Sequence, residues 1–324
     1  MSGWRITIAS PTAAARTGNR VHQERWARLL ARRGHRVTLD DPGAPVDLLI
    51  ALHARKSAAA VAAHRAAVPE VPVVVALTGT DLYGDLPQDP VARRVVDEAE
   101  ALVVLQPRAL DRLEPPWRDK ARVIEQSVEP LDLEPAEPLE PSEPEAFDVC
   151  VLGHLRDVKD PLRPALAARC LPASSRIRVI HIGAALEPTW AQRAEAEAAD
   201  NPRYQWLGER PSEEARRRLA ACRLLVLPSS MEGGAIVIGE AAVAGVGVIA
   251  SRIDGNVGLL GDDHPGLFPV GDTAALATLL TRAEAEPAFL DELRVRSCAL
   301  APRFAPPREE AALDQLVRDV CGPS

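Results

Sequence analysis

Short apolar runs that alternate with longer helical patterns dominate this sequence and restrict its fold more than any other feature. A first series begins with WRITIAS and ends with ARVIEQS, and arginine- and alanine-rich stretches separate most of its members. A second series contains FDVCVLGHL, IRVIHIGA, YQWLGE and RLLVLPSS, each followed by a helical pattern. This alternation of apolar runs and helical patterns is typical of strands joined by crossover helices, which form a parallel sheet. We therefore predict an α/β protein with two Rossmann-like, doubly wound domains.

The two series are separated by residues 128–146, in which proline alternates with acidic residues. Neither a helix nor a central strand tolerates this proline spacing, so we predict an extended linker. The predicted domains are 1–127 and 147–300, followed by a helical tail at 301–324. One apolar stripe of the tail comprises Leu313, Leu316, Val317 and Val320. We expect the two domains to face each other across a cleft, with ligands at the carboxyl ends of the strands.

Composition and charge exclude several classes of partner. The formal net charge of −8 and the absence of a basic-aromatic platform predict no nucleic-acid partner. The five cysteines are scattered and form no C-x-x-C pair, which predicts a reduced, cytoplasmic location. No apolar run reaches the ~18 residues that span a bilayer, so no stable membrane association is expected. No feature indicates an oligomeric state.

The first candidate site is the stretch GHLRDVKDPLRP, which follows a predicted strand. Gly153 ends this strand, and Lys159 precedes a helix that is predicted to start at Asp160-Pro161. Lysine is scarce in this arginine-rich chain and occurs only at positions 56, 120 and 159. A lysine beside a glycine turn and a helix N-terminus is suited to binding a diphosphate. The alternative is a solvated surface lysine.

The second candidate is SSMEGGAIVIGE, where a strand passes into a helix through Gly233 and Gly234. A helix that begins near Ala235 places Glu232 at its mouth and Glu240 more than a turn inside, about 12 Å apart along the axis. That separation suits hydroxyls at opposite ends of a long ligand better than a catalytic carboxylate pair, which lies about 5 to 9.5 Å apart. The two glycines let the backbone approach the ligand. The alternative makes Glu232 a helix cap and Glu240 an ordinary exposed residue.

The third candidate, SRIDGNVGLLGDDHPGLFPVGD, is rich in glycine and polar residues. We predict that Gly255, Asn256 and Gly258 form an irregular turn before another strand, and that the following loop is able to close over a ligand. The Asp-Asp-His run at 262–264 contains metal-ligand types, but no other group with metal spacing accompanies it. We therefore interpret this run as a solvated loop.

Three of these motifs together resemble the family 4 retaining glycosyltransferases of GT-B fold. MEGGAIVIGE matches the E-x7-E signature, GHLRDVK matches the glycine-to-lysine diphosphate motif, and GLFPVGDTAALATLL is similar to the segment that follows. The resemblance implies that Glu240 binds the ribose hydroxyls of a nucleotide sugar, Glu232 the sugar hydroxyls and Lys159 the diphosphate. The family usually has arginine after the motif's glycine, whereas this chain has His154, so either His154 or Arg156 makes that contact.

By this resemblance the donor site and the catalytic groups belong to the second domain. The donor-binding residues are Gly153, Arg156, Lys159, Glu232, Gly233, Gly234, Ala235 and Glu240. The expected catalytic contribution is electrostatic, because cations and helix N-terminal amides oppose the charge of the departing diphosphate. The expected catalytic residues are Lys159, His154 and Glu232. The chain contains no D-x-D sequence, so neither a metal nor another cofactor is required, and the UDP-sugar is a substrate.

The first domain is expected to bind the acceptor, because its strand ends carry basic and polar residues. A predicted loop between the first strand and the first helix is suited to a small anion. It comprises Arg16, Thr17, Gly18, Asn19 and Arg20. Two further strand ends, LHARKS and LTGTDLY, contribute His53, Arg55, Lys56, Thr78 and Asp81. In the structural alternatives, His53 caps a strand and Asp81 stabilises its own turn.

A longer set of motifs resembles the selenosugar synthases of selenoneine biosynthesis. The set is RTGNR, LIALHARKSA, VALTGTDLY, LVVLQP, VCVLGHLRDVKDPLR, NPRYQWLGE, MEGG and GNVGLLGDDHPGLFPVGDTAAL. The resemblance implies transfer of N-acetylglucosamine from UDP to the selenium of selenophosphate, followed by loss of phosphate. Selenophosphate is already an anion, so a strong general base is dispensable. Ile236 departs from the polar residue expected at that position. The alternatives are an ordinary O-glycosyltransferase and a non-catalytic nucleotide-sugar-binding protein.

Overall fold

The computed structural model describes residues 3–11, 18–41, 46–131 and 146–322. Its contacts divide the chain into two compact units. The first unit comprises Met1–Ser127, Glu232–Gly234 and Arg303–Ser324, and the second comprises Val128–Met231 and Ala235–Pro302. Most of the predicted linker, residues 132–145, lies outside the described residues.

The strands described in the first unit form one parallel sheet. They are β1 (Arg5–Ala9), β2 (Arg36–Leu39), β3 (Leu48–Leu52), β4 (Val73–Leu77), β5 (Ala101–Val104) and β6 (Ala121–Val123). Their spatial order is β2-β1-β3-β4-β5-β6. Every residue of β3, β4 and β5 is buried, because helices cover both faces of a parallel sheet and favour continuous apolar runs.

Helices connect these strands along the chain. They are α1 (Gly18–Arg32), α2 (Ala58–Ala67), α3 (Pro90–Glu98) and α4 (Pro115–Asp119). Helix α1 packs Trp26, Leu29 and Leu30 into the core beside β1 and β3. Because α1 already begins at Gly18, the prediction of a loop over residues 16–20 is wrong for Gly18, Asn19 and Arg20.

The second unit repeats this plan with a second parallel sheet. Its described strands are β7 (Phe147–Leu152), β8 (Ile177–Ile182), β9 (Tyr204–Trp206), β10 (Leu224–Leu227), β11 (Gly247–Ser251) and β12 (Leu267–Phe268). Their spatial order is β12-β11-β10-β7-β8-β9. Strands β8 and β9 follow on one side of β7, whereas β10, β11 and β12 follow on its other side, so the strand order reverses between β7 and β10. Ligands of such sheets bind beyond the carboxyl ends of the strands at this switch point.

The helices of the second unit flank its sheet. They are α5 (Arg163–Arg169), α6 (Pro188–Asp200), α7 (Ser212–Ala221), α8 (Ile236–Ala244), α9 (Asp254–Leu260), α10 (Thr273–Ala285) and α11 (Pro287–Leu300). The predicted start of a helix at Asp160-Pro161 is wrong, since α5 begins at Arg163. Asp160 has a left-handed backbone, with φ 44°, and its carboxylate accepts a hydrogen bond from Arg163 Nε at 2.7 Å.

The expected irregular turn at Gly255, Asn256 and Gly258 is helix α9 instead. The side-chain amide of Asn256 is buried and donates to the carbonyl oxygen of Ser251 at 2.9 Å and to its hydroxyl at 3.1 Å. Val257 is buried in the same helix. Tertiary packing of these side chains therefore overrides the weak helix propensity of the two glycines.

The last helix, α12 (Pro306–Cys321), packs in the first unit. Leu313, Leu316 and Val317 of the predicted stripe are buried in the core that contains Trp26. The carboxylate of Glu309 on the same helix accepts a hydrogen bond from Trp26 Nε1 at 2.7 Å. The C-terminal helix therefore belongs to the fold of the first unit. Among the described residues, no helix is long and apolar enough to cross a membrane.

Candidate functional site

The carboxyl ends of β7 and β10 bring two of the predicted motifs together in the second unit. The two strands are neighbours and pair through Val149 with Leu224 and Cys150 with Leu225. Beyond their ends, the backbone N–H of Ser230 donates to the carbonyl oxygen of Val158 at 2.9 Å. The glycine-to-lysine turn and the segment that leads to Glu232 are therefore joined by a backbone hydrogen bond.

Gly153 is held by a buried histidine that sequence reasoning missed. The backbone N–H of Gly153 donates to Ile182 at 2.9 Å, and its carbonyl oxygen lies 3.1 Å from Nε2 of His181. Burial lowers the pKa of His181 to about 4, so the ring is neutral at pH 7. Nε2 then donates to Gly153, and Nδ1 accepts from the hydroxyl of Tyr204 at 3.1 Å. The strand end is thus a rigid support for the turn that follows.

His154 and Arg156 occupy the turn after Gly153, and both are half-buried. The backbone N–H of Ala184 donates to Nδ1 of His154 at 3.0 Å. A neutral ring that accepts at Nδ1 carries its proton on Nε2, which makes Nε2 a donor suited to an anion. Arg156 is extended and precedes the short 3₁₀ turn Asp157–Lys159. Both residues that are expected to contact a diphosphate therefore lie in the same turn beyond β7.

Lys159 is the last residue of that 3₁₀ turn and is half-buried. Its backbone N–H donates to the carbonyl oxygen of Arg156 at 2.9 Å. The turn itself is tied to the segment after β10 by the hydrogen bond from Ser230 to Val158. Backbone hydrogen bonds therefore place Lys159 in the turn beyond the end of β7, and its role in binding a diphosphate stays a prediction.

Gly233 and Gly234 are required by close backbone packing within the first unit. A Cβ on Gly234 would lie 2.6 Å from Cβ of Leu105, and one on Gly79 would lie 2.6 Å from the backbone nitrogen of Gly233. The amide of Gln126 donates to the carbonyl oxygen of Gly234 at 2.9 Å. The glycines therefore let two backbone segments of the protein approach each other. From the sequence they are expected only to let the backbone approach a ligand.

Helix α8 begins where the sequence predicted. Its N-cap is Ala235, which is buried and makes no side-chain capping bond, so Glu232 is not the N-cap residue. Glu232 is half-buried directly before the two glycines. Glu240 is the fifth residue of α8, and its side chain is only 13% exposed. The alternative of an ordinary exposed glutamate is therefore wrong for Glu240.

Arg216 on α7 is the partner of Glu240 that sequence reasoning missed. Its Nε lies 3.9 Å from Oε1 of Glu240, and its side chain is only 15% exposed. One terminal nitrogen donates to the carbonyl oxygen of Glu129. Nε itself is buried and has no hydrogen-bond partner among the described residues. An unsatisfied buried donor costs about 1–3 kcal/mol, which marks this position as unusual.

The loop at 262–264 is less solvated than expected. His264 is buried, and its Nδ1 accepts from the backbone N–H of Gly266 at 3.2 Å. Burial lowers the pKa of His264 to about 4, and Arg296 contributes in the same direction. Asp263 is bound to Arg296 at 2.8 Å. In the described part of the chain, no group of three or more His, Cys, Asp or Glu side chains is arranged to hold a metal ion.

In the first unit, Asp81 has a fully buried side chain whose carboxylate accepts three backbone N–H groups. The donors are Ala54 at 3.0 Å, Thr78 at 2.8 Å and Gly79 at 2.9 Å. Thr78 is half-buried. The bonds from Thr78 and Gly79 stabilise the turn that contains Asp81, as the structural alternative states, and the bond from Ala54 joins this turn to the segment after β3.

His53 also joins these two strand ends. Its Nε2 lies 2.9 Å from the hydroxyl of Thr80, and its Nδ1 accepts from the backbone N–H of Lys56 at 3.3 Å. Burial lowers the pKa of His53, although Asp81 at 3.9 Å and Asp85 at 3.7 Å oppose that shift. Lys56 adds to the lowering. The backbone of His53 has φ 73°, a left-handed conformation that histidine adopts more often than most residues.

The predicted basic acceptor residues are largely paired with carboxylates. Arg20 binds Glu24 at 2.8 Å and Asp40 at 3.0 Å. Arg55 binds Asp89 at 2.6 Å, whereas Lys56 is exposed. Gly18 and Asn19 lie in the first turn of α1, and Arg16 and Thr17 lie outside the described residues. Positive charge in this region is therefore smaller than the sequence suggests.

Comparison with known families supports a glycosyltransfer role. Residues 147–285 match the model of the family described as Glycosyl transferases group 1, so the second unit carries the sequence pattern of that family. The sequence has no significant match among curated proteins.

Solved structures with the same fold cover nearly the whole chain. HepE from Anabaena in complex with UDP-glucose has a TM-score of 0.76 at 16% identity, covering 98% of this chain and 100% of that one. Sucrose-phosphate synthase from Thermosynechococcus elongatus has a TM-score of 0.75 at 17% identity, covering 98% of each chain. A glycosyltransferase from Rickettsia africae has 0.75 at 14%, covering 100% of both. These similarities confirm the predicted GT-B fold.

Proposed function

We propose that this protein transfers N-acetylglucosamine, or a related hexose, from a UDP-sugar to selenophosphate and so forms a carbon–selenium bond. The family match over 147–285 and the glycosyltransferase neighbours support the transfer of a sugar. HepE, which has the same fold, is described in complexes with UDP and with UDP-glucose. The selenium acceptor follows from the resemblance of the sequence motifs to selenosugar synthases.

The observation that carries the donor half of the proposal is the hydrogen bond between Ser230 and Val158. It joins the turn that contains Lys159 to the segment that leads to Glu232. In the proposal, Lys159 and either His154 or Arg156 bind the diphosphate, Glu232 binds the sugar hydroxyls, and Glu240 binds the ribose. The cationic groups then stabilise the negative charge that develops on UDP as the anomeric C–O bond breaks.

The acceptor half of the proposal depends on the chemistry of selenophosphate. Its selenium is anionic and polarisable, so it attacks the anomeric carbon without a general base, while UDP departs with the electron pair of the broken bond. Water then cleaves the P–Se bond and releases phosphate. Lys56 and Thr78 at the strand ends of the first unit bind the phosphate group. A reduced compartment would protect the selenium from oxidation.

The test is a mass-spectrometric assay of the purified protein with UDP-N-acetylglucosamine under reducing conditions. Separate reactions receive selenophosphate, thiophosphate, inorganic phosphate or water as acceptor. We expect UDP and a selenosugar with the selenium isotope pattern in the first reaction only.

Two other outcomes would replace the proposal. Release of UDP without a selenium product would leave a glycosyltransferase with a different acceptor, such as a sugar hydroxyl. Binding of UDP-sugar without any release of UDP would leave a non-catalytic nucleotide-sugar-binding protein.

A further inference from the structure

We infer that Arg216 positions Glu240 so that its carboxylate reads the ribose hydroxyls of the nucleotide donor. The inference rests on the proposed function, because it deepens the role of Glu240 in donor binding. Its basis is the contact between α7 and α8 inside the second unit, where the guanidinium of Arg216 lies against Oε1 of Glu240.

Burial distinguishes Arg216 from the neighbouring arginines of α7. Arg217 binds Glu213 at 2.6 Å and Arg218 binds Glu214 at 3.0 Å, and each pair joins residues one helical turn apart on α7. The side chains of Arg217 and Arg218 are 36% and 31% exposed, whereas that of Arg216 is 15% exposed. Arg216 instead lies beside the buried Ala215 and contacts a carboxylate of another helix. It therefore faces a carboxylate of the candidate site, whereas its neighbours pair with glutamates of their own helix.

One donor of the Arg216 guanidinium forms a hydrogen bond, and another, Nε, forms none within the described part of the chain. One terminal nitrogen is held by the carbonyl oxygen of Glu129, which fixes the plane of the guanidinium. Nε is buried without a hydrogen-bond partner, and Oε1 of Glu240 lies 3.9 Å away, beyond hydrogen-bond distance but within ion-pair distance. A buried donor beside an acceptor that it does not quite reach is a geometry that ligand binding is able to complete.

The completing event is the arrival of the ribose. A carboxylate has roughly four lone-pair positions on its two oxygens, so Glu240 is able to accept from Arg216 and from ribose hydroxyls together. Hydroxyl donors that bind Glu240 turn its carboxylate, and Oε1 then moves within hydrogen-bond distance of Nε. Arg216 thereby orients the carboxylate without touching the donor, and it acts as a positioning residue.

The test compares UDP with 2′-deoxy-UDP, which lacks one ribose hydroxyl. Binding of each is measured by calorimetry for the wild type, Arg216→Gln, Arg216→Lys and Glu240→Gln. Arg217→Gln on the same helix is the matched control, since its side chain is engaged only in an exposed pair. We expect the wild type to prefer UDP by about tenfold, in line with one hydrogen bond to a charged group.

Arg216→Gln is expected to lose most of that preference and to resemble Glu240→Gln, while Arg217→Gln keeps it. Arg216→Lys is expected to keep part of it, because the charge remains but the planar Nε donor is lost. A lower melting temperature for Arg216→Gln with an unchanged preference would overturn the inference and make Arg216 a purely structural residue. Failure of the wild type to bind either nucleotide would overturn the proposed function first, and the inference with it.

Discussion

Selected polar side chains of the two units differ in how completely their hydrogen bonds are formed. In the first unit, Asp81 is saturated by three backbone N–H groups, and Arg20 is paired with Glu24 and Asp40. In the second unit, Nε of Arg216 is buried without a partner. Saturated groups hold a fold together, whereas an unsatisfied buried group marks a place where a ligand is able to improve the hydrogen bonding. The comparison indicates a structural role for Asp81 and makes Arg216 a group whose hydrogen bonding a ligand is able to complete.

The largest expected effect concerns the saturated carboxylate of the first unit. Asp81→Asn replaces an acceptor of three N–H groups by an amide that presents a donor to them, and we expect a loss of about 3 kcal/mol in the free energy of unfolding. Hydrogen–deuterium exchange of peptides from β3 and β4 measures this loss in the first unit alone. The exposed Asp119→Asn is the control. Unchanged exchange in Asp81→Asn would show that the N–H groups find other acceptors.

The second effect contrasts two of the three lysines. We expect Lys159→Ala to lower kcat/KM for the UDP-sugar by about 100-fold, because it removes a positive charge from the proposed diphosphate site. Lys120→Ala is the matched variant, since its ammonium group donates to the carbonyl oxygens of Asp97 and Ala99 in the first unit. It is expected to reduce stability and to leave affinity for UDP intact. Equal losses of affinity for UDP in Lys159→Ala and Lys120→Ala would show that Lys159 has no specific role in donor binding.

The third effect is the pH dependence of the second unit. The unfolded chain protonates a histidine near pH 6.5, whereas the folded chain protonates His181 only at about 4, so acid favours unfolding. The neutral ring of His181 contributes its full stability above pH 6.5, and this contribution is lost as the pH falls towards 4. At pH 5 the free energy of unfolding is lower than at pH 7 by about 2 kcal/mol from this group. Urea unfolding between pH 7 and pH 5 measures the slope. His181→Asn is expected to flatten it, and an unaltered slope would contradict this account.

The smallest effect contrasts Lys56 and Arg20, two of the basic residues that the sequence assigns to the acceptor site. We expect Lys56→Ala to raise KM for selenophosphate about tenfold, because the exposed ammonium group of Lys56 is accessible to the phosphate group that it is proposed to bind. Arg20→Ala is expected mainly to reduce stability by about 1 kcal/mol, because its guanidinium already binds two carboxylates. Steady-state kinetics at saturating UDP-sugar distinguish these roles. A larger KM effect for Arg20 would restore the original expectation that the loop near Arg20 captures the anion.

Some features of the candidate site were predictable because they are local. The start of α8 near Ala235 and the position of Glu240 inside that helix follow from a strand, two glycines and an apolar helical pattern in succession. The helix at Asp254–Leu260 was not predictable in the same way, because its glycines favour a turn. Its formation depends on the burial of Asn256 and Val257 among residues that the local pattern does not identify.

The sequence by itself determined the alternation of strands and helices, the two parallel sheets and the motifs at their carboxyl ends, since side-chain period and residue type act over a few neighbouring positions. Only the tertiary structure decided which polar groups meet. Arg216 and Glu240 lie on different helices, and Asp81 binds the N–H of Ala54 from a different strand end. Such pairs depend on how elements pack, and packing places residues together that the chain keeps far apart.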